Sequence, residues 1–181
     1  MLPPQCSDTV NDGYQCLGLA RNTGAEPQGT ILLYAELYDR GEIVESGTLV
    51  LEQRLLAADS AAPYRLIFEH SAEGPLVLGL SGAFAPDERL TALTVTEQRT
   101  SVEGRQYSLY AVIINLNTVA VTQGRVVGAL YAGDRLLGFH AVDIEPLASG
   151  ESLPVEMHWY GIAPGTDYHH TLAADGITQT E

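Results

Sequence analysis

Residues 30–44, TILLYAELYDRGEIV, read as a strand, a tight turn at Asp39-Arg40-Gly41 and the start of a second strand. The period is two. Ile31, Leu33, Ala35 and Leu37 share one face, while Leu32, Tyr34, Glu36 and Tyr38 share the other. Residues 125–137, RVVGALYAGDRLL, repeat the sentence, with Val126, Gly128 and Leu130 opposite Val127, Ala129 and Tyr131. Leu37-Tyr38 and Leu130-Tyr131 occupy equivalent places, so the chain reads as one β unit written twice.

Outward from the first hairpin, residues 3–10 read as a short edge segment, because two prolines argue against a central strand. Asn11-Asp12-Gly13 signals a turn. Residues 14–21 alternate as a strand with Leu17 and Leu19 on one face, and further strands are predicted at 48–52, 64–69 and 75–84. Residues 55–62 form a connector in which Leu55-Leu56-Ala57-Ala58 has the composition of one helical turn, too short to change the class. Ala85-Pro86-Asp87-Glu88 reads as the boundary, giving units 1–86 and 87–181.

The second unit opens with a strand at 90–98 and a turn at Glu103-Gly104-Arg105, followed by an apolar strand at 107–116. Asn117-Thr118 is matched to Asn22-Thr23 and Gln123-Gly124 to Gln28-Gly29, a spacing of 95 that shortens to 93 at the hairpin. Strands at 138–144, 154–160 and 168–177 complete the unit, the last entered through Pro164-Gly165. Short strands between regular turn signals predict an all-β chain of two tandem immunoglobulin-like antiparallel β-sandwich domains, six or seven strands each. The inter-sheet cysteine pair and central tryptophan of an antibody domain are missing, so the likeness is one of architecture.

With 181 residues and 45% hydrophobic composition, each half has a modest core. Units of about 90 residues are marginal by surface-to-volume scaling. The formal charge is −14, and every basic residue is an arginine. Without lysine there is no Schiff-base chemistry and no phosphate-loop lysine. Dispersed carboxylates with no basic cluster exclude nucleic acid as the expected partner and read as a solubilising surface. No run approaches the ~18 apolar residues of a membrane helix. Met1 is followed by Leu-Pro-Pro-Gln, without a basic start or apolar core, so no signal peptide is read; an exported protein would have carried that segment elsewhere.

Cys6 and Cys16 have no third or fourth ligand to make a zinc site. They read either as a disulfide between neighbouring strands, which suits an oxidising compartment, or as two half-buried thiols; the expectation adopted is the disulfide.

Each copy resembles the FxLYD domain family of extracytoplasmic β-sandwich modules. The residues that carry the resemblance are the Asn-Thr turn, the small-residue strand, Leu37-Tyr38-Asp39 and the Gly41 turn, with Ala35 where the motif has phenylalanine. In the second copy Gly128 and Ala132 replace the phenylalanine and the aspartate. The resemblance implies an envelope or secreted location and a binding or spacer role, with no catalytic residues to transfer.

Candidate chemistry is thin. His158, Asp167, His169 and His170 have the residue types of a zinc site, but adjacent strand residues point to opposite faces, and the first-copy positions taken as their counterparts are Leu76 and Val77. No metal and no cofactor is expected. No GxSxG surrounds a serine, and Asp143 with Glu145 reads as the solvated side of a strand.

The aromatics are the stronger lead. Tyr38, Tyr131, Trp159 and Tyr160 are the candidate ligand-binding residues, with Tyr34 and Tyr168 as further members of a stacking platform. The competing expectation is hairpin packing for Tyr38 and Tyr131, and a core position for Trp159, whose counterpart is taken as Leu66. The sequence thus points to a non-enzymatic, extracytoplasmic binding, adhesion or spacer protein whose partner is a protein or cell-surface component. A carbohydrate-binding accessory module of a secreted enzyme system is the alternative.

Overall fold

The hairpin of residues 30–44 forms because its turn residues, Arg40 and Gly41, both adopt positive φ (50° and 88°). That geometry matches the twist of the flanking strands. The computed structural model describes residues 3–9, 13–70 and 74–179; Asn11 and Asp12 of the predicted turn fall outside them. The described residues form antiparallel sheets, and the chain divides into two compact units, Met1–Pro86 and Asp87–Glu181.

In the first unit, β1 (Gln5–Asp8), β2 (Tyr14–Arg21) and β5 (Ala61–Phe68) make one sheet in the order β1-β2-β5. The other sheet runs β4-β3-β6, with β3 spanning Ile31–Asp39, β4 Glu42–Val50 and β6 Leu76–Ala83. Ile31, Leu33, Ala35 and Leu37 are all buried, so the alternation names the core face of β3 correctly. On β2 the core face is the small-residue one, Cys16, Gly18 and Ala20, and Leu17 and Leu19 point away from it. The reason is Tyr64, whose ring lies where a Gly18 side chain would stand. Residues 55–58 make no helix; Leu56 instead forms an isolated bridge with Gln28.

The second unit contains β7 (Leu90–Ala92), β8 (Thr94–Glu103), β9 (Gln106–Ile114), β10 (Val121–Ala132), β11 (Arg135–Ile144), β12 (Ser152–Tyr160) and β13 (Tyr168–Thr178). One sheet is β12-β9-β8 and the other β11-β10-β13-β7. The strand predicted at 90–98 is therefore two strands in different sheets, joined through Leu93. Leu93 donates its N–H to the Ala174 carbonyl (2.9 Å) and buries its side chain in the core. Each unit is a β-sandwich of immunoglobulin-like layout, with its own apolar core between the two sheets.

The register between the copies differs from the one read in the sequence. Asn22 matches Asn115, Leu37 matches Leu130 and Leu51 matches Ile144, all at a spacing of 93. Beyond the hairpin Leu56 matches Leu147, at 91, so the two extra residues of the first copy lie in the loop after β4. Both hairpins carry a bulge at the same point, between Leu37 and Tyr38 and between Leu130 and Tyr131. Two further matches move with this register. Tyr14 pairs with Phe68 as Tyr107 pairs with Trp159, so the counterpart of Trp159 is Phe68, not Leu66. Leu37 pairs with Leu76 as Leu130 pairs with His170, so Leu76 answers to His170, not His169.

Cys6 and Cys16 stand directly opposite each other on β1 and β2 and are joined by a disulfide. The corresponding cross-strand pair in the second unit is Thr100 with Leu109.

Candidate functional site

Much of the buried polar chemistry holds the fold. At the end of β2, Asn22 donates from Nδ2 to the carbonyls of Glu26 (2.8 Å), Leu56 (3.2 Å) and Ala57 (3.2 Å), and its Oδ1 accepts the Gly24 N–H (3.0 Å). At the end of β9, Asn115 repeats the set with Val119 (3.0 Å), Leu147 (3.0 Å), Ala148 (3.2 Å) and the N–H of Asn117 (3.0 Å). Both asparagines are buried, and each adds a side-chain donor to loop carbonyls, of which those of Leu56 and Leu147 also accept the N–H groups of Gln28 and Val121.

The four aromatic residues singled out in the sequence are not brought together. Tyr38 is half-buried and donates its hydroxyl to Glu36 Oε2 (3.0 Å). That hydrogen bond raises the phenol above its ordinary pKa, with burial and the Glu36 charge acting in the same direction. Tyr131 is buried and stacks on His169, the ring centroids 4.9 Å apart and the planes 5° from parallel. Trp159 lies in the core of the second unit against Tyr107 (centroids 5.9 Å, edge to face) and His140 (5.1 Å). Tyr160, the next residue on β12, points the other way and is 73% exposed.

His169 and His170 also split to opposite faces of β13. His170 faces Tyr107, whose ring also meets Tyr168, and uses both ring nitrogens: Tyr107 Oη is 2.9 Å from Nδ1, and Gln98 Oε1 is 2.8 Å from Nε2. Gln98 Oε1 can only accept, so Nε2 carries the proton and Nδ1 accepts from the tyrosine. Burial, followed by the neighbouring His169, lowers the His170 pKa below its ordinary value and favours this neutral form. Among the described residues no three His, Cys, Asp or Glu side chains are grouped as a metal site.

A surface with binding chemistry does form on the outer face of the β12-β9-β8 sheet. Tyr160 pairs with Gln106, His158 with Ser108, and Glu156 with Tyr110, which in turn pairs with Arg99. His158 Nδ1 lies 3.0 Å from both Gln106 Nε2 and Ser108 Oγ, and its Nε2 lies 3.6 Å from Glu156 Oε1. The His158 and Tyr160 rings are 6.3 Å apart. This face offers exposed aromatic rings flanked by hydrogen-bond donors and acceptors and by charges of both signs, with a register shift in β8 between Thr96 and Arg99. Sequence reasoning found Tyr160 but missed Tyr110 and His158 as its neighbours. His158 lies two residues before Tyr160 on the same strand, so the period of two could have joined them, whereas Tyr110 is brought in only by the pairing of β9 with β12, which no short motif announces.

No family model matches the chain, and no curated protein matches it. Among solved structures it is similar to a red sea bream transglutaminase at 12% identity and a TM-score of 0.27, covering 100% of this chain and 32% of that one. It is similar to Bacteroides uniformis beta-glucuronidase 2 at 13% identity and a TM-score of 0.30, covering 90% of this chain and 24% of that one. A tandem of CBM22 domains from Paenibacillus barcinonensis Xyn10C matches at 10% identity and a TM-score of 0.25, covering 96% and 73%. This chain thus spans no more than 32% of the first two proteins. Likenesses at this distance carry no functional argument.

Proposed function

We propose that this chain is a non-enzymatic, extracytoplasmic binding or adhesion protein that presents the outer face of its β12-β9-β8 sheet to a protein or cell-surface component. The observation that carries the reading is the grouping of Tyr160, Tyr110, His158, Glu156 and Arg99 on one sheet face. Tyr160 is 73% exposed, and a ring so placed gives contact area with little conformational entropy to lose. The disulfide favours an oxidising compartment, and the resemblance to FxLYD modules points to the same place. No helix is long and apolar enough to cross a membrane among the described residues.

The same face supports the second reading, a carbohydrate-binding module, because exposed tyrosine beside histidine, glutamine and carboxylate suits sugar stacking with hydrogen bonds to hydroxyls. Arrays of glycans and of purified surface proteins, probed with the native chain and with Tyr160→Ala, separate the two. Binding should fall about tenfold in the variant, the effect of ~1.4 kcal/mol, with unfolding unchanged. A glycan hit selects the sugar reading and a protein hit the first. Binding that ignores Tyr160 removes the face from both, and turnover of a bound glycan ends the non-enzymatic claim. Trp159→Ala is the wrong probe, since it empties the core.

A further inference from the structure

The outer face of the β4-β3-β6 sheet is dressed differently from the same face of the sister unit. Leu32, Tyr34, Glu36 and Tyr38 of β3 form its middle, with Val50, Thr48, Ser46 and Ile43 beside them on β4 and Gly82, Gly79 and Val77 on β6. At the spacing of 93 that relates the copies, Leu32 and Val50 answer to Arg125 and Asp143, which form an ion pair (2.7 Å). Gly82 answers to Asp175, the other cross-strand neighbour of Arg125, while Gly79 answers to Ala173 and Tyr34 to Val127. The second unit builds the same sheet with those residues, so the fold does not call for an apolar row in the first.

Both glycines lie under aromatic rings. Tyr34 leans across from β3 into the space a Gly79 side chain would take, and Phe84, just past β6, folds back toward the corresponding space at Gly82 beside Leu32. The rings therefore run along the sheet instead of standing off it. They stay open to solvent, Tyr34 at 36% and Phe84 at 53% exposure. Gly79 and Gly82 are two register steps apart on β3 and three residues apart on β6, roughly 7–10 Å. Next to the rings, Tyr38 donates to Glu36 Oε2 (3.0 Å), and the exposed Ser46 and Thr48 pair with Glu36 and Tyr34. Among the residues of this face just named, Glu36 carries the only charge.

We infer that this face is a binding site for an uncharged carbohydrate chain, with Tyr34 and Phe84 meeting the C–H faces of its sugar rings and Glu36, Ser46 and Thr48 bonding its hydroxyls. The rings supply apolar contact, and the carboxylate and hydroxyls fix direction. Charge narrows the occupant. A carboxylate at the middle of the face, with no cation among these residues to offset it, repels anionic glycans, and the net charge of −14 acts in the same sense. A second copy fits poorly for a related reason, because a two-fold contact through β3 would set one Glu36 against the other. The site is separate from the β12-β9-β8 face and does not depend on it.

The test is affinity electrophoresis of the full chain through native gels that contain hydroxyethylcellulose, arabinoxylan, galactomannan or laminarin, with dextran sulfate as the anionic control. At least one neutral polymer should retard the native chain. Tyr34→Ala and Phe84→Ala should each weaken that binding about tenfold, and Tyr160→Ala should leave it unchanged. Leu32→Arg combined with Val50→Asp writes the sister unit's ion pair onto the face and should abolish binding with the urea midpoint of the first unit kept, which tells lost recognition from lost folding. The inference fails if no neutral polymer retards the chain, if retardation survives the face variants, if Tyr160→Ala removes it, or if dextran sulfate binds equally well. Sedimentation that shows dimers dissociated by Tyr34→Ala would give the face to a second copy and overturn it as well.

Discussion

Asn22 and Asn115 show how much a single residue carries here. Each amide closes a loop by bonding three carbonyls and one N–H, in the same geometry in both copies. Replacing Asn115 with alanine removes this whole set of hydrogen bonds from a buried position and is expected to cost the second unit about 1–3 kcal/mol; Asn22→Ala should cost the first unit a similar amount. Urea unfolding followed by circular dichroism reads the effect, and an unmoved midpoint would show that the bracket is ornamental. The sequence did not reveal this pair. Residues 115–117 read Asn-Leu-Asn, and local composition cannot choose between the two asparagines. Only the long-range bonds to Leu147 and Ala148 select Asn115.

At the scale of the element, the organising hairpin was fully legible, because a period of two and a glycine turn are local properties of Ile31, Leu33, Gly41 and their neighbours. The strand switch at Leu93 was not. The alternation slips at Ala92-Leu93, where two apolar residues adjoin, but such a slip says only that the face changes and not which sheet owns each side of it. The candidate face divides the same way, since Tyr160 and His158, two apart on one strand, were visible in the sequence while Tyr110 became their neighbour only through pairing. β1 carries the next expectation. It is four residues long and held to β2 by the Cys6–Cys16 bond, so reduction should destabilise the first unit by roughly 2–3 kcal/mol. Calorimetry with and without reductant should show one transition moving and the other, whose matched pair is Thr100 with Leu109, staying in place. Movement of both transitions would refute this.

For the whole molecule, two units with separate cores imply two cooperative unfolding events. Acid should weaken them unequally. The folded His170 pKa lies below its ordinary 6.5, so between those values the unfolded chain binds more protons than the folded one. The second unit therefore keeps the full benefit above about pH 6.5 and loses it as the pH falls toward the folded value, a slope that His170→Gln should flatten. Comparing urea midpoints near pH 7.5 and pH 5 tests this, and equal slopes in the variant and the native chain would contradict it. The single tryptophan has a practical consequence. Trp159 is sequestered in the second sandwich, so indole fluorescence is a one-sided optical gauge. It reports melting of that half alone and stays blind to redox damage in the other, which must be watched through tyrosine or far-ultraviolet signals.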